Sequence, residues 1–149
     1  MSTSTSTSDY SAADRAELAA LSKVLAQNAE AFGAEALARM FTVYAATKSY
    51  FKDYKDFTAA APSIKAHGAK VVTALAKACD HLDDLKTHLH KLAAFHGSEL
   101  KVDPANFQYL SYCLEVALAV HLTEFSPETH CALDKFLTNV CHELSSRYR

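Results

Sequence analysis

Glycine and proline are scarce in this chain, at three residues each in 149, and tryptophan is absent. Tight turns lean on glycine and proline, so a meander of short strands has too little turn chemistry here. Apolar residues instead recur at intervals of three and four almost throughout, which predicts an all-α fold. An excess of charge is also missing: 15 Lys and Arg stand against 17 Asp and Glu, a net charge of −2. No broad basic face is therefore available for nucleic acid or an anionic membrane surface, and neither partner is expected. No apolar run approaches the roughly 20 residues of a membrane span, and the first residues lack the basic-then-apolar order of a signal peptide. A soluble, intracellular protein is expected. The four cysteines, Cys79, Cys113, Cys131 and Cys141, never form a C-x-x-C pair, and their apolar settings predict buried reduced thiols.

Half of the residues are hydrophobic, enough for one domain to bury a core without disulfides. Residues 1–10 are expected to form a mobile Ser/Thr-rich tail, since such a segment buries too little apolar surface to offset its ordering entropy, and residues 11–149 form the domain. Ser11 with Asp14 three residues on has the form of a capping box ahead of Leu18, Leu21 and Leu25, in a helix ending near Gln27. A second helix is predicted from about Ala29 to Tyr44, with Phe32, Ala36, Leu37, Met40 and Phe41 inward. After the short aromatic-ended Thr47–Phe51 and the charged, irregular Lys52–Ala61, Pro62 begins a third helix. Asp83-Asp84 interrupts the pattern, and a fourth helix is expected to stop at Gly97 in the left-handed cap conformation. Asp103-Pro104 opens a long helix carrying Phe107, Leu110, Leu114, Ala117, Leu118 and His121. Ser126-Pro127-Glu128 opens the last, which runs through Leu133, Phe136, Leu137, Val140 and Leu144 to a basic end at Arg147. Gly33 and Gly68 both fall inside helices, where glycine costs about 1 kcal/mol relative to alanine. Their placement predicts two backbones crossing too closely to admit a Cβ.

Two histidines share the apolar stripes of the third and fourth helices. In one, His67 stands with Ile64, Val71, Leu75 and Ala78; in the other, His96 stands with Leu85, Leu89 and Leu92. Both are read as pointing inward, and a buried neutral imidazole must hydrogen-bond or bind a metal, since leaving it unpaired costs about 1–3 kcal/mol. The pair is read as facing across a flat cofactor. Enzymatic chemistry has little support: no Ser or Cys sits in a glycine-bounded turn, and no carboxylate pair falls on an apolar stripe. His88 and His90, two apart on a helix, point about 200° from each other and cannot share a metal. His81, His121, His130 and His142 each stand alone, as surface or satisfied core residues. An iron porphyrin bound by one histidine, with the second opposite an open coordination position, makes a site for a small diatomic ligand. Its walls would be Leu37, Phe51, Val71, Leu92, Val102, Phe107 and Leu144, apolar enough to exclude water and so slow iron oxidation. A haem enzyme would need a reductase domain or a catalytic polar pocket. A cofactor-free helical interaction module would differ from both by lacking a Soret band.

Several segments give these residues a family context: Phe32-Gly33-Ala34-Glu35-Ala36-Leu37 with Arg39-Met40-Phe41, Thr47-Lys48 with Tyr50-Phe51, Lys65-Ala66-His67-Gly68 with Lys70-Val71, Val102-Asp103-Pro104 with Asn106-Phe107, Leu133-Asp134-Lys135-Phe136-Leu137, and the terminal Tyr148-Arg149. From about Ser11 onward the chain resembles the globin family, and within it the alpha-type chains of vertebrate haemoglobins. That resemblance implies a globin fold of about seven helices around a haem pocket, with no D helix between Phe51 and Pro62. It implies haem b as cofactor, His96 as proximal iron ligand and His67 as distal residue. It places Phe51 against the porphyrin, Leu37 and Val71 over the ligand, and Leu92, Leu100, Val102, Asn106, Phe107 and Leu144 around the cofactor. It further implies reversible binding of O2, and of CO and NO, in an allosteric α2β2 tetramer with a beta-type chain in the cytosol of red blood cells. Arg39, Phe125, Pro127 and His130 would lie at the tighter subunit contact, and Tyr50, Asp103, Asn106, Tyr148 and Arg149 at the sliding one. The chain departs from the family pattern at Ser22, where a tryptophan is usual, and at Ala46, Ser49 and Lys52 of the switch surface. Asp53 replaces a histidine that commonly meets a haem propionate, a task left to Lys52 or Lys70, and the longer tail displaces the terminal amine.

Overall fold

The structure is a computed structural model that describes residues 10–146. The stretch expected to be a tail, up to Asp9, and the terminal Arg147, Tyr148 and Arg149 lie outside the described residues. Seven α-helices follow one another: α1 Ala12–Gln27, α2 Ala29–Val43, α3 Pro62–Ala78, α4 Leu85–His88, α5 His90–Ala94, α6 Ala105–His121 and α7 Pro127–Ser145. Short 3-10 segments at Ala45–Tyr50 and Cys79–His81, and a π-helical turn at Phe95–Glu99, complete the helical structure. No strand occurs among the described residues, and residues 51–61 carry no helix.

Local chemistry explains the boundaries. Ser11 Oγ accepts from the Asp14 amide while Asp14 accepts from the Ser11 amide, so both orphan donors of the first turn are satisfied. Ala61 is extended, as the residue before a proline must be, and Pro62 enters the first turn where its missing N–H costs nothing. Ser126 caps α7 through the Thr129 amide. Tyr10, counted with the tail above, is buried, and its hydroxyl accepts from Asn139 Nδ2 at 2.8 Å. Tyr10 thus packs with the helical core.

Two apolar clusters form the core. The larger joins Leu18, Leu21 and Leu25 of α1 to Val72 and Ala76 of α3 and to Leu133, Phe136 and Leu137 of α7. The smaller gathers Leu37, Met40 and Phe41 of α2 with Ile64 of α3, and receives Phe51, Tyr54 and Phe57 from the segment between them. Gly33 and Gly68 make the crossing of α2 and α3. A Cβ on Gly33 would stand 2.1 Å from the Gly68 carbonyl oxygen, and one on Gly68 would stand 2.4 Å from the Gly33 carbonyl carbon.

That crossing shifts the buried stripe of α3. Its buried residues are Ile64, Gly68, Val72, Ala76 and Ala78, whereas His67, Val71 and Leu75 are only half-buried. Seating Gly68 on α2 turns the helix by about one residue, which leaves His67 and Val71 on its flank.

The fourth predicted helix is not continuous. It breaks at Leu89 into α4 and α5, then widens into the π-helical turn that contains His96 and Gly97. Gly97 does not end the helix and is not left-handed; the left-handed residue is Lys101, with φ 52°. The Leu100 amide donates to the Phe95 carbonyl, and the Val102 amide to that of His96, both at 3.0 Å. The wider turn carries the chain past Gly97, so the reversal falls at Lys101. The thiols differ as well: Cys79 and Cys113 are buried, Cys141 is partly buried, and Cys131 is exposed because it lies on the outer face of α7. No helix among the described residues is long and apolar enough to cross a membrane.

Candidate functional site

His96 Nδ1 donates to the Leu92 carbonyl one turn back, at 2.9 Å. This bond fixes the ring orientation and assigns the proton to Nδ1, so Nε2 points away from its own helix as a lone-pair donor. Phe95 and Phe107 meet the ring edge-on, with centroids 5.7 and 5.5 Å away. His96 is half-buried and its rotation is restricted on both sides.

His67 is half-buried on α3, with Phe51 edge-on at 5.3 Å. Phe51 is itself set by Phe41 at 5.1 Å and Tyr54 at 5.2 Å, and Phe41 by Phe57 at 4.9 Å. Burial, then the charges of Lys70 and His96, hold the His67 imidazole below its ordinary 6.5. His67 is therefore neutral near pH 7, and the two imidazoles lie within electrostatic reach of each other.

Leu37 and Val102 are buried at this site, and Val71, Leu92, Phe51 and Phe107 are half-buried, as walls of an apolar slot should be. Three predicted residues stand apart. Leu100 is 49% exposed. The Asn106 amide donates to the Asp103 carbonyl at 2.8 Å and to the Tyr50 hydroxyl at 3.4 Å, which ties it to the neighbouring corner. Leu144 packs on the larger core cluster. A cleft of about 440 Å³ runs alongside, between α3 and α4–α5, and shares Leu92 and Lys70 with the site.

The donor set fits a haem. No cluster of three metal-binding side chains occurs among the described residues, so a bare ion would find no cage. A single oriented imidazole suffices when the metal arrives with four ring nitrogens of its own. Lys70, exposed like Lys52 and Asp53, is the one whose charge is felt at His67, and it is suited to a propionate.

Sequence reading missed Tyr54 and Phe57, because Lys52, Asp53, Lys55 and Asp56 make that stretch look solvated. An aromatic pair three apart within a charged run was the available signal, and an Asx turn at Asp56, accepting from the Thr58 amide, folds it inward. Three of the lone histidines have partners: His121 bonds Glu35, which also binds Arg39, His130 bonds Glu115, and His81 bonds Asp84 and stacks on His88 at 3.9 Å.

A helical fold with an oriented, half-buried imidazole at one helix end and a second half-buried imidazole on another helix, within electrostatic reach, is compatible with a haem-binding globin. Residues 34–144 match the Globin family model, and the chain belongs to that family. Its relatives are haemoglobin alpha chains. It is 99% identical over 148 residues to hemoglobin subunit alpha of Heterodontus portusjacksoni, an alignment covering 99% of this chain and 100% of that one. It is 52% identical to hemoglobin subunit alpha of Mustelus griseus, over 94% of this chain and 99% of that one. Its structure is similar to deoxy hemoglobin from Mustelus griseus, with a TM-score of 0.91 at 52% identity, and to shortfin mako (Isurus oxyrinchus) hemoglobin, with a TM-score of 0.92 at 51% identity. Each likeness covers 94% of this chain and 99% of the other.

Proposed function

We propose that His96 holds the iron of haem b through Nε2, and that His67 guards the opposite side, where the ligand binds. The orientation of His96 by the Leu92 carbonyl, with His67 within electrostatic reach of it, is the observation that carries this assignment. The chain is an oxygen carrier, not an enzyme, and works as the alpha-type subunit of an α2β2 tetramer with a beta-type chain. The cytosol of red blood cells is where such a carrier would operate. When bound, haem b supplies a ferrous iron that takes up O2, CO or NO reversibly.

The chain's own residues do the rest. His96 presents one lone pair and cannot rotate away, because Nδ1 is committed to Leu92. His67, neutral near pH 7, keeps an N–H to donate to a partly negative ligand oxygen. Leu37, Val71, Leu92, Val102 and Phe107 exclude water. Leu100, Asn106 and Leu144 belong to the rim of the site by family likeness, with Phe51 wedged against the ring.

A path for allostery leads away from His96. Its carbonyl accepts from Val102, and the next amide, that of Asp103, donates to the Tyr50 hydroxyl at 3.0 Å. Any displacement of His96 therefore pulls on the corner where Tyr50, Asp103 and Asn106 meet, the surface we assign to the sliding subunit contact with Tyr148 and Arg149. Arg39, Phe125, Pro127 and His130 are assigned to the tighter one. Deleting Tyr148 and Arg149 should lower the cooperativity of oxygen binding by the assembled tetramer, and unchanged cooperativity would refute the coupling.

The distal role is tested by His67→Leu. The variant should oxidise faster in air, followed as the loss of the ferrous spectrum. Wild-type oxidation should also accelerate as pH falls through the lowered His67 midpoint, below 6.5, because protonation makes the ring an unwelcome charge in an apolar slot. The His67→Leu rate should stay flat over that range. A Soret band from the haemin-loaded chain tests the assignment of cofactor, and a colourless product would sink it.

A further inference from the structure

Glu115 is out of place on α6. It is one of three buried polar or charged residues among those described, 9% exposed, and it sits between Leu114 and the apolar stripe Tyr112, Val116 and Val120, whose members are all exposed. Its carboxylate accepts from His130 Nε2 at 3.1 Å, and Asp134, on the same helix as His130, α7, lines the same cleft as Glu115 and bears on it electrostatically. The cleft of about 680 Å³ beside it is also lined by Ser111, Cys141 and His142. Ser111 Oγ lies 3.2 Å from Cys141 Sγ. A buried carboxylate thus meets an exposed carboxylate and an exposed imidazole at one edge of the cleft, so that a partner covering Asp134 and His130 would close water off from Glu115 as well.

We propose that Glu115, with Asp134 and His130, forms a proton-binding site that takes up a proton when the beta-type chain docks on the α6–α7 face. The inference rests on the α2β2 reading above and adds a regulation to it. Two neighbouring carboxylates resist ionising together, and one imidazole cannot neutralise both. Covering the cluster with a partner removes more water from it, which disfavours the charged carboxylate further. Burial, then the charge of Asp134, already push Glu115 up to about 6, against a smaller opposing pull from His130. The sign follows: docking raises this carboxyl's proton affinity, so the site takes up a proton and docking strengthens as pH falls toward 6. The other titratable groups that face or flank Glu115 are Tyr112, His142 and Cys141, which line the cleft, and His130; burial pushes the Cys141 thiol up, so it stays neutral at that pH.

Two measurements test this on the haem-loaded full chain. The first is calorimetric mixing with the beta-type chain between about pH 6 and pH 7 in buffers of different ionisation enthalpy, which reads protons exchanged. Proton uptake is expected, lost in Glu115→Gln and kept in His142→Gln. No uptake, or uptake retained in Glu115→Gln, would overturn the proposal. The second is a carbon-13 titration of the Glu115 carboxyl in the chain alone. A midpoint near 6 that falls in Asp134→Asn is expected, and an ordinary midpoint unmoved by that change would overturn the cluster even if no complex formed. Absence of a complex in sedimentation would instead overturn the tetramer reading.

Discussion

Gly68→Ala should destabilise the fold by about 3 kcal/mol or more. The new Cβ would lie 2.4 Å from the Gly33 carbonyl carbon and 2.5 Å from the Ala34 nitrogen. Overpacking costs about 1–3 kcal/mol where side chains can move aside. Here both obstacles are backbone, so α2 and α3 must separate as whole helices, and alanine's better helix propensity recovers only about 1 kcal/mol. For a domain of this size the melting temperature should fall by roughly 6–12 °C. The site should suffer with it, since the crossing turns His67 toward the slot. An unchanged melting temperature would contradict the described crossing of α2 and α3.

His96→Ala should abolish stable haem retention. The imidazole is the one side-chain donor that its surroundings aim for coordination, and nothing in Phe95, Leu92 or Phe107 can replace it. Apolar contacts alone would leave the cofactor to transfer readily to any acceptor protein. The check is the rate of haemin transfer from the purified variant, expected to rise by orders of magnitude; His96→Gly with added imidazole should slow it again. A transfer rate equal to wild type would show that another side chain holds the iron.

Much of this was legible because the signals were local. The Ser11–Asp14 box, Pro62 and Ser126 act over three residues, so the starts of α1, α3 and α7 follow from residue type alone. The Gly33–Gly68 contact was readable because glycine inside a helix lacks any local reason. His67 and His96 were legible as inward-facing, but their half-burial was not. The rotation of α3 depends on where α2 sits, which no periodicity encodes. The π-helical turn was hidden for a similar reason: Gly97 looks like a cap, and only the long-range bond from Val102 to His96 moves the reversal to Lys101. Leu100 and Asn106 were placed by family likeness. In the fold, one is exposed and the other spends its amide on Tyr50 and Asp103. Tyr54, Phe57 and Glu115 were missed because each contradicts its neighbours in polarity. Such residues declare themselves only once the partner helix is in view.

The resonance Raman spectrum of the ferrous, ligand-free holoprotein tests the central assignment most directly. An iron–imidazole stretching band should appear, shift when histidine is labelled with nitrogen-15, and be lost in His96→Gly while surviving in His67→Leu. A band that persists without the ring at position 96, or one that depends on the ring at position 67, would contradict the account.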